Sequence, residues 1–376
     1  MNMDTPEYRR QVEEALLKKA PFRPMENGRA VPGLWHKVEL PDCSGVLGSS
    51  YCCYLKRGTS DNTIIFMIGG GLLWNERTAL LPSTIETAFS GKPCLYTEEV
   101  DPDNDYWFFC LRENNGILSA LEDNPFRDWN IGMVNYSTGD LHLGAHDFTV
   151  TDENGKEVAV RCEGLKNLRA CMAVFKEQFP EPSRLLLCGE SAGGFSVPGV
   201  ADEVLRSYPE CKDVTLCTDS ALMECGDWRG IAEKVWQVPA YLSDCLHSRD
   251  IVSDWYERLS KTRPGLRCLY ITGRRDAAMA QYQSYMDGGA FTVREEYLET
   301  LPERFYEQYK RLSSLNLNFG FYYHDFPDAL SAGSQHMTLT HPTFTENTVD
   351  GVTPAQWLFD GVNGRIKTIG LALLKE

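Results

Sequence analysis

Residues 184–194 read Arg-Leu-Leu-Leu-Cys-Gly-Glu-Ser-Ala-Gly-Gly. An apolar run leads into Gly189-Glu190-Ser191-Ala192-Gly193, a match to G-x-S-x-G, and a helical pattern follows. In that setting the serine occupies a strained strand-to-helix turn, where side chains two positions away on either side would clash and glycine removes the clash. The turn lifts the hydroxyl clear of the sheet. The helix that follows aims its free N–H groups at the point where an attacked carbonyl gathers negative charge. Ser191 is therefore the candidate nucleophile of acyl chemistry. An ordinary glycine turn is the competing reading, and the strand before and helix after count against it. Pro198 and Gly199 predict a kink about two turns into the helix.

A second signal lies upstream, where Ile64-Ile-Phe-Met-Ile runs into Gly69-Gly70-Gly71-Leu72. Backbone without side chains can approach a carbonyl oxygen closely and donate N–H groups to it. The candidate oxyanion donors are the N–H groups of Gly70, Gly71 and Leu72 together with that of Ala192. No G-x-G-x-x-G occurs here, which argues against a dinucleotide site.

A serine nucleophile on such an elbow takes its acid and then its base from later in the chain. Leu269-Tyr-Ile-Thr-Gly-Arg-Arg-Asp276 offers Asp276 after a late strand, with Asp219 as the rival one strand earlier. Either aspartate could instead be a helix cap. Three histidines follow: His324, His336 and His341. His324 continues a strand and reads as structural. His336, in Ala332-Gly-Ser-Gln-His-Met337, lies on a small-residue loop that can reach Ser191; His341, before Pro342, is the reserve. His142 and His146 have an HxxxH spacing, but Gly144 and the preceding strand make helical zinc geometry a poor fit, so no metal is expected there.

These segments together resemble the pectin acetylesterase and Notum-like family of α/β-hydrolases. The likeness rests on Gly69-Gly-Gly-Leu-Leu-Trp-Asn75, Gly116-Ile-Leu-Ser119 with Asn124-Pro-Phe126 and Trp129-Asn130, Tyr136-Ser-Thr-Gly-Asp-Leu-His-Leu-Gly144 and Gly189-Glu-Ser-Ala-Gly-Gly194. Ser334-Gln-His336, Val349-Asp-Gly-Val352 and Trp357-Leu358 extend it toward the carboxyl end. The resemblance implies an α/β-hydrolase that removes acyl groups with a Ser-Asp-His triad, which falls on Ser191, Asp276 and His336. It also marks departures. Members are commonly secreted and disulfide-bonded, and their glycine loop often continues Trp-Cys where this chain has Leu72-Leu73, which should reshape the acyl pocket.

The elements that must position these residues read as an α/β chain with a mostly parallel sheet and covering helices. A hairpin is predicted from Trp35–Leu40 and Ser50–Leu55. Buried strands are predicted at Thr63–Ile68, Ile131–Tyr136, Arg184–Cys188, Val214–Thr218, Arg267–Thr272 and Leu317–Tyr323. Leu165, Leu168, Met172, Phe175 and Phe179 recur at helical spacing, and Pro180 ends that helix. We expect one domain over 1–376, with a helical extension at 1–30 that starts at Asp4 or Thr5 before Pro6. Two insertions, 74–125 and 223–264, are expected over one end of the sheet, with Tyr106, Trp107, Phe108 and Phe109 as pocket or core residues.

The formal net charge of −16 argues against nucleic acid, anionic membranes and polygalacturonate. Thirteen scattered cysteines without a CxxC spacing read as free, mostly buried thiols, the vicinal Cys52 and Cys53 among them. The amino terminus lacks the apolar core of a signal peptide, so the chain is expected in the cytoplasm. The expected reaction is cofactor-free hydrolysis of a small-molecule or oligosaccharide ester, in the first instance O-deacetylation of an acylated sugar or small molecule. Alternatives on the same residues are acyl transfer, thioester cleavage, or an inactive ligand-binding member of the fold.

Overall fold

A computed structural model describes residues 24–84, 87, 92–98, 115–328 and 332–375. Eight strands build the central sheet: β1 Trp35–Ser44, β2 Ser50–Lys56, β3 Thr63–Met67, β4 Asn130–Val134, β5 Leu185–Glu190, β6 Val214–Asp219, β7 Arg267–Gly273 and β8 Asn318–His324. Their order in space is β1-β2-β4-β3-β5-β6-β7-β8. The β1/β2 and β2/β4 pairs are antiparallel, and every other neighbouring pair is parallel. β3 and β5 are buried along their whole length, which is why both read as unbroken apolar runs and not as alternating patterns. The parallel strands all end on one edge of the sheet, and ligands of open α/β sheets bind at that edge.

Six longer helices cover the sheet: α1 Gly164–Gln178, α2 Ala192–Ser207, α3 Ile251–Thr262, α4 Ala277–Met286, α5 Glu295–Ser313 and α6 Pro354–Val362. α1 buries Leu165, Leu168, Met172 and Phe175, the predicted face, and stops before Pro180. α2 continues through Pro198 to Ser207. Proline at 198 leaves the Gly194 carbonyl without its helical N–H, and the Thr218 hydroxyl donates to that oxygen at 3.4 Å.

Other expectations shift too. Of the predicted extension, residues 1–23 lie outside the described residues, and the remainder is a turn, not a helix. It is tied to the end of α1 by the Gln178 side chain, which accepts from Ala30 N–H and donates to Gly28 O. The second half of 223–264 is not an excursion over the sheet edge. It contains α3, an amphipathic crossover helix between β6 and β7 whose Trp255 and Leu259 are fully buried. A hairpin, His146–Thr151 with Glu157–Cys162, lies outside the main sheet and was missed by the sequence reading. The described cysteines are free thiols. Tyr106–Phe109 fall outside the described residues. Among the described residues no helix is long and apolar enough to cross a membrane.

Candidate active site

Ser191 follows the last residue of β5 and precedes the first turn of α2, with φ 52° and ψ −129°. A non-glycine residue in that region stores about 1–3 kcal/mol of backbone strain and persists only where its surroundings enforce it. Here the Ser191 N–H donates to Asp219 O on β6 at 3.0 Å, and Ser191 O accepts from Phe195 N–H at 2.9 Å. Gly193 lies so close to β3 that a Cβ would run into the Met67 carbonyl, which accounts for the second glycine of the motif.

Asp276, fully buried, sits in the turn between β7 and α4 and uses its two oxygens differently. Oδ1 accepts the Met279 N–H at 3.0 Å and caps α4. Oδ2 meets His336 Nδ1 at 2.8 Å. The cap and the triad acid are alternative readings of the sequence; in the structure one carboxylate makes the contacts that both would require. With Nδ1–H donated to Asp276, the Nε2 lone pair of His336 is left for base work. No hydrogen bond joins Ser191 Oγ to the imidazole among the described residues, and such bonds commonly tighten only when substrate fills a site.

The loop bearing His336 is pinned to the sheet edge by groups that the sequence reading missed in this role. Asp219, the rival acid, accepts backbone N–H groups from Thr338 at 2.6 Å and Leu339 at 2.8 Å, plus the Ser220 hydroxyl at 2.9 Å. Ser220 Oγ in turn accepts from Met337 N–H at 3.0 Å. Thr340 Oγ1 reaches the buried Glu190 carboxyl at 2.8 Å. Burial, reinforced by the nearby Asp219 carboxylate, pushes Glu190 up to about 8. No spacing in the sequence announces these contacts, because they join loops far apart in the chain.

His324 is fully buried, pairs with Thr338 Oγ1 at 2.8 Å, and is pushed down to about 3 by burial, so it stays neutral and structural. His341 bonds locally to Thr343 Oγ1. Asp276 and His336 are thus brought together, while His324 and His341 are engaged elsewhere. For His336, burial disfavours the charged ring, but the adjoining Asp276 carboxylate, Asp219 and Glu190 outweigh it and the pKa is raised. The base must be neutral to accept a proton, so a raised pKa moves the acidic limb of activity upward. We expect kcat/KM on an ester to rise with pH through a midpoint above the ordinary histidine value of about 6.5. A pH–rate profile checks this, and a midpoint at or below that value contradicts it.

Opposite the elbow, Gly70-Gly71-Leu72 pairs with residues 95–97. Leu72 N–H donates to Leu95 O at 2.7 Å, and Thr97 N–H donates to Gly70 O at 2.7 Å. This corrects one expected donor: the Leu72 N–H is already spent on Leu95. The Gly71 N–H shares a peptide plane with the Gly70 carbonyl, so anchoring that oxygen on Thr97 turns the N–H away from residues 95–97. Gly71 and Leu72 line a narrow cavity of about 20 Å³ with Ser191, Ala192, Phe195, Leu141, Met223, Met279 and Tyr282. Gly70 is not among its lining residues. Gly71 and Ala192 remain as candidate donors, both lining this cavity with Ser191. A wider hollow of about 1730 Å³ lies at the opposite end of the sheet, near Val214, Arg267 and Asn318, where Asp202 pairs with Arg263 and Asp213 with Arg267.

His142 and His146 do not converge. His142 is buried, with Nε2 at 2.9 Å from Ile68 O, and burial pushes it down to about 4. That contact secures the end of β3 just before the glycine loop. His146 Nδ1 lies 3.2 Å from Val235 O. One His/Asp/Glu grouping among the described residues, His247 with Asp254 and Glu257, has the Arg311 guanidinium on both carboxylates.

An eight-stranded, mostly parallel sheet with a strained serine after β5, an aspartate after β7 and a histidine after β8 defines the α/β-hydrolase fold. No family model matches the chain, and no curated protein matches it in sequence. Among solved structures the chain is similar to the Wnt deacylase Notum from Drosophila, with a TM-score of 0.60 and 17% identity over 89% of this chain and 93% of that one. At that identity the likeness establishes the fold.

Proposed function

We propose that the protein is a serine carboxylic-ester hydrolase that removes short acyl groups, in the first instance acetyl, from a sugar or other small molecule. The observation that carries the reading is the buried Asp276–His336 bond, on a loop fastened to the same strand ends as the Ser191 elbow. In the proposed reaction Ser191 Oγ attacks the ester carbonyl as His336 Nε2 takes its proton. The Gly71 and Ala192 N–H groups receive the charge that develops on the carbonyl oxygen. Collapse of the tetrahedral species breaks the bond to the alcohol, which leaves with the proton from His336. Water, activated by His336, then cleaves the acyl-serine and restores the enzyme.

Two further features support a short acyl group. The cavity beside Ser191 is on the order of one water molecule in size, and its lining is apolar. Leu72, which lines it, stands where the resembling family often has tryptophan. The likeness to a solved deacylase is consistent with acyl removal. Free thiols suit a reducing compartment, and we place the reaction in the cytoplasm.

The test is hydrolysis of p-nitrophenyl acetate, butyrate and octanoate, with fluorophosphonate labelling in parallel. Acetate should be cleaved fastest and octanoate slowest, and the probe should label wild type but not Ser191→Ala. A folded wild type that is neither active nor labelled would replace this reading with a ligand-binding role.

A further inference from the structure

Residues 95–97 orient the proposed oxyanion donor, so what holds them is part of how the site works. The Leu95 carbonyl accepts two hydrogen bonds. One comes from Leu72 N–H at 2.7 Å and the other from the Tyr282 hydroxyl at 2.9 Å. Tyr282 lies on α4, the helix capped by Asp276. Its hydroxyl is also packed against Gly71, where a Cβ would lie only 2.5 Å from that oxygen. The ring packs edge-to-face with Phe291, centroids 5.1 Å apart. A single side chain therefore connects the helix that carries the acid to the turn that carries the oxyanion donor.

We propose that Tyr282 is a positioning residue for the oxyanion hole, holding the Leu95 carbonyl and through it the Gly71–Leu72 turn. The proposal rests on the esterase reading above. Its hydroxyl contributes no group to the reacting atoms; its contribution is to keep Gly71 N–H aimed while charge develops. Donors that are already oriented stabilise a transition state without reorganising, and loosening one loses part of that benefit. The effect should fall on the transition state and leave ground-state binding alone, because the ring that lines the acyl cavity is retained in Tyr282→Phe.

The experiment compares wild type, Tyr282→Phe and Tyr285→Phe. Tyr285 sits on the same helix and packs on the same Phe291, but its buried hydroxyl has no partner among the described residues. Kinetics on p-nitrophenyl acetate are paired with inhibition by methylboronic acid, whose serine adduct places an oxygen in the hole, and with thermal melting. Tyr282→Phe should lose about tenfold in kcat with little change in KM, and its inhibition constant for the boronic acid should rise by a similar factor. Tyr285→Phe should match wild type in both. An unchanged kcat, or a lowered kcat with an unchanged inhibition constant, overturns the role assigned to Tyr282 while leaving the esterase standing. A wild type that cleaves no ester overturns both.

Discussion

Asp276→Asn should lower kcat on p-nitrophenyl acetate by about 10⁴-fold while its thermal midpoint stays near that of the wild type. The two oxygens of Asp276 separate the effects. Oδ1 caps α4 through Met279 N–H, and asparagine caps a helix about as well as aspartate. Oδ2 accepts from His336 Nδ1. An asparagine that keeps its oxygen on Met279 turns its NH₂ toward the imidazole. The ring must then accept at Nδ1 and carry its proton on Nε2, where the base has to be free. Asp276→Ala loses the cap as well and should cost about 1 kcal/mol more in stability. Steady-state kinetics and thermal melting of the two variants check this. Retention of most activity in Asp276→Asn would reduce Asp276 to a cap. Asp219 is poorly suited to replace it, since its oxygens already serve Thr338, Leu339 and Ser220.

The inner strands were legible because that part of the sheet is parallel and buried on both faces. Thr63–Met67 and Leu185–Glu190 have no solvent face on which to alternate, so their sequences are continuous apolar runs bounded by turn residues. Helix α1 was legible from its apolar spacing. Less accessible was whatever depends on partners distant in the chain. Pro198 reads as an awkward residue in a helix, and only the fold shows that Thr218 supplies a hydrogen bond to the carbonyl that proline leaves open. Residues 251–262 look like part of an aromatic, acidic insertion. The neighbouring helices α2 and α5, distant in the chain, are packed on this helix, in which Trp255 and Leu259 are buried.

The same division runs through the site. Ser191 and the glycine loop were readable because backbone strain and close approach demand glycines at fixed spacings. Asp276 and His336 were readable as an order along the chain, and the structure joins them by a hydrogen bond. The supports were not readable. Asp219, Ser220, Glu190 and Thr340 hold the histidine loop through contacts spanning more than a hundred residues. The Leu72 N–H looked available until Leu95, in a stretch read as an insertion, proved to accept from it. Motifs record what a local turn requires of its own residues, and the scaffolding that aims them leaves no such local trace.

That scaffolding makes Gly71 the most sensitive point on the oxyanion side. Gly71→Ala should lower kcat by about 10²–10³-fold, the loss associated with removing one oxyanion donor. Gly71 has φ 89°, a conformation that costs an L-residue about 1–2 kcal/mol. An added Cβ would also run into the Leu95 carbonyl and lie 2.5 Å from the Tyr282 hydroxyl. Neither neighbour can yield cheaply, because each is hydrogen-bonded to the other and Leu95 N–H is held in turn by Leu81 O at 2.8 Å. The turn must therefore rotate, and the Gly70–Gly71 peptide plane moves with its N–H. The hydrogen bonds of Asp276 and His336 run to Met279 N–H and to each other and not to this turn, so the midpoint of the pH–rate profile should stay at its wild-type position while the plateau falls. A plateau close to wild type would mean that Gly71 N–H receives no charge in the transition state. A shifted midpoint would mean that the substitution had disturbed the acid–base pair and had not acted on the oxyanion hole alone.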